Sequence, residues 1–261
     1  MRHLTPLLLL VAVVALSAAA AGQARPAGGT LTFCSDITYP PEEFYQGTKP
    51  AGSDIDIGNA VAKRLGMKAV FQNTGFDGII AALLAKKCDA VISGMNDTAD
   101  RRKQVSFIDY LNVGQSLMVQ KGNTKHVSSL ASLSGKSVSV EVGTTNKTFL
   151  DQESKKLKSE GKPTIQVQAF PHDTDAAAAL KTGRVDAYFG DSPVVAYYIQ
   201  KDSSFAFAGS PVNPIPVGIA VRKNDPTTKA GIQKAITALY ANGTIKRILA
   251  KWHMAAFALK K

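Results

Sequence analysis

Two stretches of this chain repeat each other at a distance of 97 residues. Residues 83–90 have the pattern Leu-x3-Lys-x-Asp-Ala, and residues 180–187 have the pattern Leu-x3-Arg-x-Asp-Ala. In each, a basic residue suits the last turn of a helix, and the Asp opens a short apolar run. Such passages from helix to strand are typical of open parallel α/β sheets. The duplication predicts two similar α/β lobes whose ligand cleft lies at the carboxyl ends of their strands.

The first 24 residues have the pattern of a secretory signal peptide. A short basic start precedes an apolar stretch over residues 7–16, and an Ala-rich stretch with several cleavage choices follows. No later stretch reaches the ~20 apolar residues that a membrane span needs. Cys34 does not directly follow the Ala-rich stretch, so a lipid anchor is not expected. We therefore expect a free protein in the periplasm.

The net charge of +11 is compatible with nucleic-acid or membrane binding. The basic residues are, however, scattered over predicted helix faces, and they cluster only at residues 155–158, without interleaved aromatic residues. A solvated basic surface and no nucleic-acid partner are therefore expected. His126, His172 and His253 lack the spacing of metal ligands, so we expect neither a metal nor another cofactor.

Cys34 and Cys88 are the two cysteines of the sequence. Export would permit a disulfide between them, because the extracytoplasmic environment is oxidising. Cys34 is expected in the first strand and Cys88 at the start of the third, and such strands are often neighbours. Two separate buried thiols are the alternative, and the sequence leaves both open.

The order of the predicted elements divides the chain behind the signal segment, which has 237 residues, into two lobes. Residues 28–113 have a βαβαβα pattern, and residues 114–215 form a second α/β unit. Residues 216–261 return to lobe 1 as a strand and two helices. The expected fold is therefore α/β, with two doubly wound lobes joined by a two-strand hinge of small cross-section.

The motifs of the chain resemble, in order, those of the family 3 bacterial extracellular solute-binding proteins, the amino-acid receptors of ABC importers. Those that carry the resemblance are Ser35-Asp36-Ile37-Thr38-Tyr39-Pro40-Pro41, Gly52-x-Asp54-Ile55-Asp56, Gly75-Phe76-Asp77-Gly78, Cys88-Asp89-Ala90-Val91-Ile92-Ser93-Gly94, Asp97-Thr98-x2-Arg101, Gly143-Thr144-Thr145, Gly183-Arg184-Val185-Asp186-Ala187 and Asp191-Ser192-Pro193. The resemblance implies a periplasmic binding protein-like fold of type II. Two positions depart from the family, because Ser53 replaces its usual Phe and Glu42 stands where it often has Phe.

The resemblance also implies how the two charged ends of an amino acid are held. Arg101 matches the residue that binds the α-carboxylate, for which a guanidinium fork is well suited. Asp191 matches the residue that holds the α-amino group. The positions that support these two are Asn96 and Thr145, as backbone donors to the carboxylate, and Ser93 and Gly94, as oxygen acceptors for the ammonium. The alternatives are a solvated Arg101 and an Asp191 that merely caps the next helix.

The ligand side chain is expected to lie between Tyr39 and Phe76, which match two flanking aromatic positions of the family. Asp36 and Glu141 are expected at its far end. Two carboxylates would favour Arg, Lys, ornithine or His and repel acidic side chains. Phe76 could instead be a core residue, and Glu141 could point to solvent.

These observations predict a monomeric binding protein that closes on a free L-amino acid and docks on the membrane permease of an ABC transporter. An enzyme on the same scaffold, of the cyclohexadienyl dehydratase type, is the alternative. It would need an acid or base beside its substrate, and the sequence places no His or Lys near Glu141. An exported protein with a degenerate cleft is disfavoured, since Arg101 and Asp191 are intact.

Overall fold

A computed structural model describes residues 28–259, so the predicted signal segment lies outside the described residues. The strands are β1 (Thr30–Ser35), β2 (Thr38–Tyr39), β3 (Glu43–Gln46), β4 (Lys49–Ala51), β5 (Lys68–Asn73), β6 (Ala90–Val91), β7 (Val105–Gln120), β8 (Ser137–Glu141), β9 (Gln166–Phe170), β10 (Ala187–Asp191) and β11 (Phe205–Arg222). The helices are α1 (Ser53–Arg64), α2 (Ile79–Leu84), α3 (Ala99–Gln104), α4 (Thr145–Ser159), α5 (Asp173–Lys181), α6 (Ser192–Lys201), α7 (Pro226–Ala241) and α8 (Thr244–Lys251).

Eight of the strands form a sheet in the order β5-β1-β6-β11-β7-β10-β8-β9. At one end β1 pairs in parallel with β5 and β6, and at the other end β8 pairs in parallel with β9 and β10. We call these two parallel groups, with the helices packed on them, lobe 1 and lobe 2. The predicted fold class, two doubly wound α/β lobes, is confirmed.

The long antiparallel strands β7 and β11 run from one lobe to the other. The first part of β7 pairs with the end of β11 beside β6, and its last part pairs with the start of β11 beside β10. The sequence predicted a crossing segment at residues 211–216, with a strand only after it. In the structure β11 is a single strand whose register shifts three times between Ala208 and Gly218, a stretch whose prolines cannot donate ladder hydrogen bonds.

The repeated sequence motif makes the same contact in both lobes. Asp89 accepts a hydrogen bond from the backbone of Thr32 at 2.9 Å, and Asp186 accepts one from the backbone of Ser137 at 2.9 Å. In return, the backbone N–H of each Asp donates to the carbonyl of the same partner residue. Each Asp therefore ties the end of a helix-to-strand passage to the neighbouring parallel strand, which fixes the register of both lobes.

The buried apolar residues form separate cores on the two sides. Two clusters consist of residues from 31–113 and 217–254, and two others consist mainly of residues from 117–212. Tyr39, from the amino-terminal part, packs into one of the latter. The predicted limits of the lobes at residues 113 and 215 stay a prediction.

Cys34 and Cys88 form a disulfide, with their Cα atoms 5.6 Å apart. The bond joins the end of β1 to the segment before β6, directly beneath the residues that follow β1 into the cleft. Of the two alternatives that the sequence left open, the structure contains the bridge. Between residues 28 and 259, no helix has both the length and the apolar character required to cross a bilayer.

Reduction of this disulfide is expected to destabilise the protein. The bridge closes a loop of 54 residues, for which chain entropy alone predicts about 4 kcal/mol of stabilisation. The midpoint of thermal unfolding should therefore fall on the order of 10 °C in the presence of a strong reductant. A Cys34→Ala/Cys88→Ala double variant is the control, and its midpoint should be insensitive to the reductant. An unchanged midpoint in the reduced wild-type protein would contradict the expectation.

Candidate functional site

The predicted site residues follow the carboxyl ends of parallel strands in both lobes. Asp36 follows β1, and residues 93–96 follow β6, whereas Glu141 ends β8 and Asp191 ends β10. Because these strand ends face each other across β7 and β11, the sheet topology brings residues from distant parts of the chain to one cleft. The residues that the sequence nominated for ligand binding lie at this edge, and their role in binding stays a prediction.

Arg101 lies at the start of α3, where Thr98 caps the helix by accepting a hydrogen bond from the Arg101 backbone at 3.2 Å. The guanidinium donates to the carbonyl of Asn96 at 2.8 Å and, across the cleft, to the carbonyl of Gly143 at 3.1 Å. Burial lowers the pKa of Arg101 to about 10, and the charge of Asp191 opposes this shift. Arg101 is thus a half-buried cation held toward lobe 2, unlike its neighbour Arg102, which is 61% exposed and pairs with the buried carboxylate of Asp97.

Asn96 connects Arg101 to Asp191. While its carbonyl accepts from Arg101, its side-chain amide donates to Asp191 at 3.2 Å, and its amide oxygen accepts from the Thr145 hydroxyl at 2.6 Å. The position of Asn96 is fixed by a bridge to Val217 of β11. The two groups predicted to grip the ends of an amino acid therefore share one polar neighbour, from opposite lobes.

Asp191 occupies the cap position of α6, but its side chain makes no capping hydrogen bond. Instead, its carboxylate accepts from Asn96 and, at 3.1 Å, from Asn146. Burial raises the pKa of Asp191 to about 6, opposed by these two amides and by Arg101. The interpretation of Asp191 as a simple helix cap does not describe this geometry, because its carboxylate is directed into the cleft.

Thr145 begins α4 and lies close to Asn96, as described above. The turn before it holds Gly143 at a φ of 77°, and a Cβ there would come within 2.8 Å of the backbone of Asp77 in lobe 1. Since only glycine suits both the conformation and the close approach, this turn lets the amino terminus of α4 reach the opposite lobe. Free N–H groups at such a terminus favour an anion. A cavity of about 280 Å³ lies beside Arg101 and this turn.

Tyr39 crosses the cleft. Its hydroxyl accepts a hydrogen bond from the backbone of Asp191 at 3.3 Å, and its ring packs into a core cluster of lobe 2. Gly94, with a φ of 48°, lies directly beneath the ring, since a Cβ on Gly94 would be 3.0 Å from it. Gly94 thereby allows Tyr39 to lie against the backbone that follows β6.

Ser93 belongs to a buried polar network in lobe 1. Its hydroxyl accepts from the backbone of Asp36 at 2.9 Å and donates to Glu43 at 2.7 Å. Asp54 accepts from the backbone of Gly94 at 2.8 Å and from the hydroxyl of Tyr110. In this arrangement the Ser93 hydroxyl is fully engaged within lobe 1.

Asp36 and Glu141 are 1% and 3% exposed, respectively. The carboxylate of Asp36 accepts from Thr38 and from the backbone of Phe76, at 2.7 and 2.8 Å. Burial raises the pKa of Glu141 well above its usual value, and the charges of Asp173 and Asp36 raise it further. Oε1 of Glu141 has no hydrogen-bond partner among the described residues. The alternative that Glu141 points to solvent is therefore wrong.

Phe76 is partly buried, and the guanidinium of Arg101 lies 5.2 Å from the centre of its ring. Phe76 also packs against a lobe 1 core cluster. Its position is therefore compatible with both interpretations, a core residue and a wall of the cleft. Phe76 thus contacts both this core cluster and Arg101.

Four further residues of the cleft were not singled out from the sequence. Asn146 binds Asp191, Gln115 donates to the Thr145 hydroxyl at 3.2 Å, and Asp173 accepts from two tyrosine hydroxyls. His172, which appeared isolated in the sequence, lies with its Nδ1 3.7 Å from Asp36. Asn146 could have been predicted from the sequence, because it follows Thr145 at the amino terminus of a helix. The other three residues come close to the cleft only when lobe 2 folds.

Comparison with known proteins places this geometry in a family. The family model for bacterial extracellular solute-binding proteins, family 3, matches residues 31–255. The chain belongs to this family. It is 30% identical over 228 residues to the ABC transporter arginine-binding protein 1 of Escherichia coli (strain K12), an alignment that covers 85% of this chain and 90% of the relative.

Two solved structures extend the comparison. An ancestral arginine-binding protein bound to arginine is 37% identical, with a TM-score of 0.80 and coverage of 87% of this chain and 99% of the other. An ancestral amino acid-binding protein described as a precursor of cyclohexadienyl dehydratase is 32% identical, with a TM-score of 0.77 and coverage of 85% and 95%. All three are described as binding proteins, which is the class that the sequence predicted for this chain.

The raised pKa of Asp191 predicts a pH dependence of stability. Between about pH 4, where an unfolded Asp loses its proton, and about pH 6, the folded protein retains it. Because the folded state binds more protons in this window, its stability falls as the pH rises. The loss at Asp191 is about 3 kcal/mol, and thermal unfolding of the ligand-free protein from pH 4 to pH 7 measures it. Asp191→Asn should flatten part of the profile; superimposable profiles would contradict the assignment.

Proposed function

We propose that the protein captures a free L-amino acid with a cationic side chain in the periplasm and delivers it to the permease of an ABC transporter. The observation that carries the proposal is the convergence of Arg101 and Asp191 on Asn96 from opposite lobes. An α-amino acid carries a carboxylate and an ammonium on the same carbon atom, and a neighbouring cation and anion in the protein can hold both.

Arg101 supports binding of the ligand carboxylate. It offers a planar fork of donors in a half-buried site, where charge-assisted hydrogen bonds are strong. In the structure its guanidinium donates to two backbone carbonyls, neither of which neutralises its charge. The amino terminus of α4 adds N–H groups on the other side. A carboxylate between these groups would be bound from both lobes at once.

The preference for a cationic side chain is supported by Asp36 and Glu141. Both carboxyl groups are buried, and the charge of Asp36 contributes to raising the pKa of Glu141. A guanidinium or ammonium at this end of the cleft would relieve their mutual repulsion and supply donors to the unpartnered oxygen of Glu141. The names of two relatives, both arginine-binding, agree with this preference.

Closure is supported by contacts that join the lobes away from the charged groups. The ring centre of Phe44, on β3, lies 5.6 Å from that of Tyr197 on α6 and 5.6 Å from that of Trp252, to which it is nearly perpendicular. Ligand contacts from both lobes would favour this closed arrangement, because only closure brings Arg101 and Asp191 to one molecule. The closed form is the state proposed to dock on the permease, as a monomer.

Arg101→Ala should abolish binding of every amino acid, whereas Glu141→Gln should weaken cationic amino acids alone. At about 1,000 times the dissociation constant, a ligand stabilises the folded state by about 4 kcal/mol, which a thermal-shift screen against free amino acids detects. We expect the largest shift with arginine, lysine, ornithine or histidine. Loss of a hydrogen bond to a charged group predicts about 10- to 100-fold weaker binding of these ligands to Glu141→Gln.

Arg102→Ala is the matched control, since Arg102 is 61% exposed and pairs with Asp97 outside the cleft. It should leave every shift intact. Equal shifts with cationic and acidic amino acids would overturn the proposed preference, and no shift with any amino acid would overturn the function. Conversion of a screened compound, followed by mass spectrometry, would instead favour an enzyme with Glu141 as its buried acid.

A further inference from the structure

We propose that Glu42 is a second anionic group of the amino-group subsite, so that the ligand ammonium lies between the carboxyl groups of Glu42 and Asp191. The inference rests on the proposed function and adds a residue to it. The resemblance to the family does not supply this residue, since Phe is frequent there at this position.

Glu42 has a buried carboxyl group of which one oxygen lacks a hydrogen-bond partner among the described residues. Its side chain is 1% exposed, and Oε2 receives no hydrogen bond from any described residue. Its own backbone N–H is the donor that acts on the carboxyl group. Buried polar atoms are nearly always paired, because leaving one unpaired costs free energy. This unpaired oxygen therefore requires an explanation that packing alone does not give.

The backbone of Glu42 is held in place beside the cleft. Its carbonyl accepts from the backbone of Asp54 at 2.8 Å, and a Cβ on Gly52 would lie 2.0 Å from the same oxygen. The two segments are therefore in van der Waals contact, and the start of α1 anchors Glu42. Rotation of the backbone away from the cleft would break this contact, so the Glu42 backbone keeps its position.

The side chain of Glu42 stands next to two residues of the proposed site. Its Cγ is 3.9 Å from the position of a Cβ on Gly94, and the ring of Tyr39 is 3.0 Å from that position. The Tyr39 hydroxyl in turn accepts from the backbone of Asp191. Glu42 is thus at the end of the cleft where Gly94 and Asp191 are proposed to meet the ammonium.

The charges around Glu42 indicate which kind of group would satisfy it. Burial raises its pKa well above the usual value, and the carboxylates of Asp54, Asp191 and Asp173 raise it further. Ser53, the other departure from the family, contributes a second buried and unpartnered oxygen nearby. A cation with several N–H donors would pair with these acceptors. An ammonium between Glu42 and Asp191 would separate two like charges and bind both.

The test combines one substitution in the protein with one change in the ligand. L-arginine and 5-guanidinopentanoate share the carboxylate and the guanidinium, but the second lacks the α-amino group. Isothermal titration calorimetry would measure both ligands on the full mature chain and on Glu42→Gln, which keeps the shape of the side chain and removes its charge. Glu160→Gln, in an exposed ion pair with Lys162, is the control.

Glu42→Gln should weaken L-arginine about 10-fold or more and leave 5-guanidinopentanoate unchanged within about twofold. Parallel weakening of both ligands would overturn the inference, because Glu42 would then act on the guanidinium or on the fold. No weakening of either would overturn it as well. If the unmodified protein binds no amino acid, the proposed function itself is wrong. That outcome is distinguishable from a failure of the inference about Glu42, which requires binding by the unmodified protein.

A second variant distinguishes a loss of binding from a folding defect. Glu42→Met removes the unpaired carboxyl group and fills its volume, so the ligand-free protein should unfold at a higher temperature while its affinity for L-arginine falls. A structural role of Glu42 predicts the opposite shift in unfolding temperature. A lower unfolding temperature, together with equal loss of both ligands, would therefore contradict the inference.

Discussion

The link from Arg101 through Asn96 to Asp191 is the interaction on which the cleft depends. It joins a cation that follows β6 of lobe 1 to a carboxylate that ends β10 of lobe 2. Both charges are removed from bulk water, which shifts the pKa of each toward its neutral form. Polar neighbours offset part of the free-energy cost of burying these two charges. A zwitterionic ligand would offset more of it, because it offers a full opposite charge to each group.

The rest of the architecture serves to bring these two groups together. The repeated Asp contacts fix the strands in each lobe, so that the strand ends lie at one edge. β7 and β11 carry the chain between the lobes, and β11 also holds Asn96 through Val217. Gly143 and Gly94 permit the close approaches that a bulkier residue would prevent. The same sheet topology therefore stabilises each lobe and also brings the residues of the cleft together.

Much of the fold was predictable because local patterns and the global arrangement agree. The duplicated helix-to-strand passage and the alternation of elements predicted two α/β lobes, and α7 and α8 lie close to their expected positions. The continuous strand β11 was not predictable, since its three prolines are typical of a crossing segment. The disulfide depended on a distance between Cα atoms, which no sequence pattern contains.

The site was predictable where motifs mark it and not where tertiary contacts make it. Arg101 follows a recognisable cap, and Asp191 follows the second repeat, so both could be named from the sequence. His172 and Asp173 reach the cleft only because α5 packs on the strands of lobe 2. Glu42 was noticed only as a departure from a family pattern, because burial without a partner is a property of the structure.

A crystal structure of the mature protein with bound L-arginine would show whether Arg101 and Asp191 hold the two ends of one ligand. We expect the ligand carboxylate within hydrogen-bond distance of the Arg101 guanidinium and the ligand ammonium within hydrogen-bond distance of the Asp191 carboxylate. A ligand bound in the reverse orientation, or one that contacts a single lobe while Arg101 and Asp191 remain apart, would contradict this expectation.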